Sequence, residues 1–160
     1  MPENAVCHYY KTGKIVKATK DHIAPIAEDM RDMDALEVKC LGSLPLKALS
    51  DGLENSHFVF TVLDLKDNPL AMFGSGGKLN DAGYIWLLAN NNFKVTRKDF
   101  VRVSKAWIRT IVSPFKFCGN LVHSQNKQAL RWLKYCGAIF LSEQKIGNHL
   151  FYEFVIINNF

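Results

Sequence analysis

No stretch of this chain approaches the roughly twenty apolar residues of a membrane-spanning helix, and its opening segment MPENAVCHYYKTGK holds no apolar core of signal-peptide length. Both absences predict a cytosolic chain. Cysteine is sparse and scattered: Cys7, Cys40, Cys118 and Cys136 show neither a CxxC pair nor Cys/His ligand spacing. That argues against a disulfide framework and a zinc site, predicts reduced and mostly buried thiols, and leaves no metal expected. Internal repeats and low-complexity blocks are missing too, which excludes solenoid and linker architectures.

What is present is the composition of a packed domain. Of the 160 residues 48% are apolar and 22% charged, enough apolar material for one core, and no linker divides the chain, so residues 1–160 read as a single domain. The formal charge of +5 raises the question of nucleic acid. Its densest basic groups, Lys94 to Arg109 and Lys127 to Lys134, alternate with apolar positions, as the outer faces of two amphipathic helices require. A nucleic-acid footprint would gather them on one surface with aromatics between them, so the reading is a solvated basic surface without a nucleic-acid partner.

Along the chain, Lys14 to Thr19 predicts a first strand, with Thr19 or Asp21 capping a helix whose inward stripe is Ile23, Ile26, Ala27, Met30 and Met33. Continuing the stripe reaches Asp34 and Glu37, so either the helix bends near Met33 or two carboxylates face a cleft. Gly42 ends the segment, and Pro45 opens a helix over Leu46 to Leu53. Phe58 to Leu63 and Leu70 to Gly74 form a hairpin about Lys66-Asp67-Asn68-Pro69, GSGGK (Gly74 to Lys78) reads as a hairpin loop, and Tyr84 to Ala89 follows as a strand. Thr96 to Val112 is a long helix with Phe100, Val103, Trp107, Ile108 and Ile111 inward, stopped by Pro114. In NLVHSQNKQALRWLKYCGAIF a strand carrying Leu121 and Val122 leads to a helix capped by Asn126 and ended by Gly137, and Ala138 to Leu141 starts a further strand.

The pattern V-x3-N-x2-A-x7-G-A around Asn126 and Gly137 resembles the C-terminal βαβ segment of the GCN5-related N-acetyltransferase (GNAT) fold. The order β-αα-ββ-β-α-β-α-ββ over Lys14 to Ile157 extends the resemblance to nearly the whole chain. It implies an α/β (α+β) fold with a mixed central sheet flanked by helices. IAEDMRDMDALEVKCLG, PLAMFG, WLLA and NKQALRWLKYCGA together are similar to the internal virion protein A family of T7-like bacteriophages. That resemblance matches Arg31, Asp34 and Glu37 to an Arg-x2-Asp-x2-Glu segment and Trp86 to Leu88 to a Trp-Leu-Leu strand. It implies a phage origin, a host-cytoplasmic and virion-associated location, and a phage or host protein as partner.

Active acetyltransferases of this fold place a [Q/R]-x2-G-x-[G/A] loop before the long helix, so that backbone amides reach the pyrophosphate of acetyl-CoA. The equivalent stretch here, Asn90 to Phe100, has no glycine, and Thr96 with Asp99 predicts a cap that occupies those amides and adds a negative charge. The tyrosine that often serves as general acid is replaced by Leu133, with Tyr135 about 160° away around the helix. Two readings follow. The first is a non-catalytic virion-morphogenesis or host-interaction protein without a cofactor. The second is an acetyl-CoA-dependent N-acetyltransferase acting on a small amine or host protein, with Glu37, Asp34 and His123 as candidate catalytic residues. Leu88, Ala89, Thr96, Arg97, Lys98 and Asn126 would then hold the cofactor. The fold alone does not choose between them, because one fold hosts many functions.

Overall fold

Strand-forming runs pair with their sequence neighbours through the first two-thirds of the chain. The computed structural model describes residues 6–160 as one eight-stranded sheet with helices on both faces. A hairpin of β1 (Val6–Tyr10) and β2 (Gly13–Lys17) precedes three helices, α1 (Ile23–Ala27), α2 (Asp32–Cys40) and α3 (Pro45–Asn55). A meander of β3 (Phe58–Asp64), β4 (Pro69–Gly77) and β5 (Ala82–Ala89) follows, then α4 (Arg97–Val112), β6 (Phe117–His123), α5 (Lys127–Tyr135), β7 (Ile139–Ile146) and β8 (His149–Ile157). The spatial order is β1-β2-β3-β4-β5-β6-β8-β7, antiparallel throughout except for β5 against β6. This is the mixed α/β sheet that the sequence predicts.

The parallel pair decides where a site can form. It is short: Ala82 faces Phe117, Gly83 faces Cys118 and Tyr84 faces Gly119, after which the ladder stops. β5 runs on to Ala89 and β6 to His123 as two diverging strands, with β4 and β8 still paired to their outer edges. Asn120 spans the start of the gap, its Nδ2 donating to Ile85 O at 2.8 Å.

The two sheet faces carry separate cores. Ile23, Ile26, Met30, Val38 and Leu49 pack with Met72 and Val59 under α1–α3, and Trp86 and Leu88 lean on this cluster. On the other face Phe73, Ile85, Phe93, Phe100, Ile108, Ile111 and Leu133 form the larger core under α4 and α5. Val103 and Trp107 pack against it half-buried, and Trp107 Nε1 donates to His8 Nδ1 at 2.9 Å.

Several local expectations change. The N-terminal hairpin adds a strand before the expected first one. The expected helix through Met33 is two helices, because Met30 bridges to Asn90 and Arg31 N–H donates to Ala89 O at 3.0 Å, pairing that helical backbone does not allow. The three glycines of GSGGK all lie inside β4, and the turn is 78–81. A Cβ at Gly76 would collide with the Tyr84 hydroxyl, so its absence admits that ring across the strand. The two helices that carry the densest basic groups, α4 and α5, cover the same side of the sheet. Asn126 and Gly137 act as read: Asn126 Oδ1 accepts Ala129 N–H at 3.2 Å, and Gly137 takes φ +91°. Cys118 and Cys136 are buried, which pushes their thiol pKa values up to about 12 and about 11, while Cys7 is exposed. No helix among the described residues is long and apolar enough to cross a membrane.

Candidate functional site

A cavity of about 710 Å³ occupies the gap between β5 and β6 and is lined from both faces of the sheet. On one side its wall comes from Val38, Ala48, Gly52, Trp86 and Leu88; on the other from Phe93, Phe100, Ala129, Trp132 and Leu133. The break in the parallel ladder therefore gives two opposite faces one shared chamber. A Cβ at Gly52 would stand 2.6 Å from the Trp86 ring, so this glycine lets α3 lie over the indole that forms part of the wall.

The exposed edge of β5 belongs to Leu87. Alternate residues of an antiparallel strand turn N–H and C=O toward the same neighbour. Asn90 N–H donates to Leu70 O in β4, so Leu88 faces β4 as well, and Ile85, Leu87 and Ala89 face the gap. Ile85 O is taken by Asn120, and Ala89 by Arg31 and Asp34. Leu87 N–H and C=O are left pointing into the gap. In this register the Leu88 backbone faces β4, and its side chain lines the chamber.

The two carboxylates of α2 hold the two diverging strands. Asp34, 3% exposed, takes a forked ion pair from Arg31 at 2.8–3.1 Å and accepts Ala89 N–H at 2.9 Å, tying down the end of β5. Glu37 Oε1 accepts His123 N–H at 3.0 Å and Asn126 Nδ2–H at 2.9 Å, tying down the end of β6. Arg31 also donates from Nη1 to Gln128 Oε1 at 3.0 Å, joining α2 to α5 across the chamber. Burial raises the pKa of Asp34 above the usual carboxylate value, against the opposing pull of Arg31 and the Ala89 amide. Glu37 is raised by burial too, against the hydrogen bonds from Asn126 and His123. Glu37 is thus not a partner of Arg31. Its Oε2 has no hydrogen bond, and no buried side-chain oxygen among the described residues lacks a partner, so Oε2 is open to the chamber that Glu37 lines.

His123 is placed differently. It is 2% exposed and does not line the chamber. Gln125 N–H donates to its Nδ1 at 3.0 Å, which puts the ring proton on Nε2, 2.9 Å from His149 Nδ1. Burial, and then the neighbouring His149, lower its pKa.

The capping expected of Thr96 and Asp99 does not form. Thr96 Oγ1 donates to the Tyr10 hydroxyl at 2.9 Å, and Asp99 Oδ2 accepts from Thr12 Oγ1 at 2.7 Å, so both side chains serve the N-terminal hairpin. No side chain among the described residues caps α4, which leaves its first-turn amides available. Arg97 lines the chamber with no ion-pair partner among the described residues, whereas Lys98 is exposed beyond it. Tyr135 stands at the rim, 43% exposed. Sequence reasoning missed Leu87, Arg31 as a cross-chamber staple, and Asn120; alternation along WLLA could have indicated Leu87 had the pairing parity been known.

The fold is that of GNAT-family acetyltransferases. The chain is similar to an acetyltransferase (GNAT family) from Bacillus anthracis, at 11% identity over 95% of this chain and 98% of that one, with a TM-score of 0.69. It is similar to Ard1 from Thermoplasma volcanium, at 10% identity over 92% and 98% with a TM-score of 0.68. A ribosomal-protein-S5-alanine acetyltransferase from Vibrio fischeri aligns at 12% identity over 95% and 96%, with a TM-score of 0.61. At these identities the likeness establishes the fold alone. No family model matches the chain and no curated protein sequence matches it, so nothing here supports the phage family.

Proposed function

We propose that this protein is an N-acyltransferase that takes an acyl group from a pantetheine thioester, acetyl-CoA being the simplest, and passes it to an amine. One observation carries the reading: the chamber at the β5/β6 break has an open strand edge at Leu87 on its wall and reaches both faces of the sheet. Such an edge suits the amides of a pantetheine arm, which would pair with Leu87 N–H and C=O as a further strand does. Phe93, Phe100, Ala129 and Trp132 supply its apolar flank, and Arg97 with the first-turn amides of α4 faces where phosphate would lie. The thioester supplies an acyl carbon whose C–S bond breaks as its C–N bond to the amine forms. Glu37 Oε2 is positioned to take the amine's proton, and a carboxylate whose pKa burial has raised suits that task. Asn126 and His123 hold the other oxygen of Glu37 in place.

The loss of Ala89 from the open edge favours a second reading, a partner-binding module that keeps the fold without catalysis, such as a virion or host-interaction protein. Thermal-shift titration with acetyl-CoA separates them. At a hundred times its dissociation constant a ligand stabilises the native state by about 2.7 kcal/mol. Such a shift, with thiol release on adding amines, supports the enzyme. No shift at millimolar acetyl-CoA overturns it.

A further inference from the structure

The charges of this chain are sorted by side of the sheet. α4 and α5 together hold eight of the twenty Lys and Arg side chains and one of the fifteen Asp and Glu side chains, Asp99. Residues 20–55, which form the three helices of the opposite face, hold eight acidic and four basic side chains. The two basic helices are direct neighbours: Trp132 Nε1 donates to Ser104 Oγ at 3.0 Å, and Lys105 Nζ lies 4.3 Å from the centre of the Tyr135 ring. Of the eight cations only Arg102 has a carboxylate within reach among the described residues, Asp99 at 3.5 Å. The face is therefore an uncompensated positive field, with Arg97 and Arg131 standing in the wall of the chamber that opens through it.

The extent of this field says what it meets. Arg97 and Arg109 are twelve residues apart on α4, about 18 Å by helical rise. The phosphates of one coenzyme cannot engage both ends of that row and α5 as well; an acidic macromolecular surface can. Nucleic acid suits the face less well, because Tyr135 is the one exposed aromatic on these two helices and no stacking platform accompanies the charge. The chamber instead offers a narrow apolar wall and one open strand edge, which fit a linear amide-bearing arm.

We propose that the donor reaches this site on an acidic carrier protein, which docks on the α4/α5 face and inserts its acylated phosphopantetheine arm between β5 and β6. The proposal rests on the acyltransferase reading and names its donor.

The test is titration with a bacterial fatty-acid acyl carrier protein, with and without its phosphopantetheine arm, beside free coenzyme A, poly-uridine RNA and a 20-base-pair DNA duplex, at 50 and 200 mM salt. The expected result is binding of the arm-bearing carrier at least tenfold tighter than the armless one, and at least tenfold weaker at the higher salt. Lys105→Glu with Lys134→Glu, both outside the chamber wall, should weaken it at least tenfold while leaving the melting temperature nearly unchanged and coenzyme A affinity within twofold. Equal binding of the two carrier forms overturns the proposal, as does tighter binding of either nucleic acid. Coenzyme A binding with no carrier binding overturns it and leaves the acyltransferase reading standing. Binding of neither overturns both.

Discussion

Asp34 reaches across 55 residues of sequence to accept the amide of Ala89 at 2.9 Å, and the same carboxylate grips Arg31. The end of β5 is held by a side chain of α2 rather than by a neighbouring strand. Removing one partner of a buried ion pair leaves a desolvated charge and costs about 3 kcal/mol or more. Asp34→Ala should therefore lower the melting temperature by roughly 6–12 °C for a chain of this size. A shift under about 2 °C in calorimetry would mean that the strand end does not depend on this contact.

Glu37 gives a contrasting expectation. Gln at this position keeps an oxygen for His123 N–H and Asn126 Nδ2–H and removes a charge that burial disfavours. Because the folded-state pKa of Glu37 is raised above its ordinary 4.5, the native state holds the proton more firmly than the unfolded chain, and wild-type stability falls as pH rises through that window. Glu37→Gln should match or exceed the wild type at pH 7, with an advantage that shrinks as pH falls toward 4.5, and should abolish transfer. Denaturant titrations at pH 4.5, 6 and 7.5 read the first effect. Full activity in the variant would remove Glu37 as proton acceptor.

His123 should titrate below 6.5, since burial and His149 both lower its pKa. The native state then rejects a proton that the unfolded chain accepts, so this group costs stability as pH falls below 6.5. NMR titration of the imidazole signals measures it directly. His149→Phe removes the neighbouring charge and should raise the His123 value; an unchanged value would locate the cause in burial alone.

Much of the scaffold was legible because its signals are local. Asn126 and Gly137 bound a nine-residue helix by side-chain and backbone geometry contained within a dozen residues, and from β1 to β6 each strand pairs with its sequence neighbour. The site was legible only in outline. The acidic turn of the stripe at Asp34 and Glu37 was visible, but not that each carboxylate anchors a different strand, because Ala89 and His123 are more than fifty residues away. Thr96 and Asp99 have the spacing of a helix cap and do not act as one. Their competitors, Tyr10 and Thr12, come from a hairpin whose first strand the sequence reading did not include.

That misreading changes the expectation for the cofactor loop. A capped α4 would bind acetyl-CoA only above millimolar concentration, and Thr96→Gly with Asp99→Ala would improve binding. With the cap absent, the same double change should instead detach the N-terminal hairpin from α4 and lower the melting temperature without a gain in affinity. Arg97 is the residue to alter, since it lines the chamber, has no ion-pair partner among the described residues and lies beside the uncapped amides. Arg97→Glu reverses a charge where phosphate would sit and should weaken acetyl-CoA binding at least tenfold, about 1.4 kcal/mol, with the melting temperature of the unliganded protein nearly unchanged. Isothermal titration calorimetry on both proteins decides it. Equal affinity would place the phosphates elsewhere, and would leave Leu87 and the apolar wall as the parts of the site still to be tested.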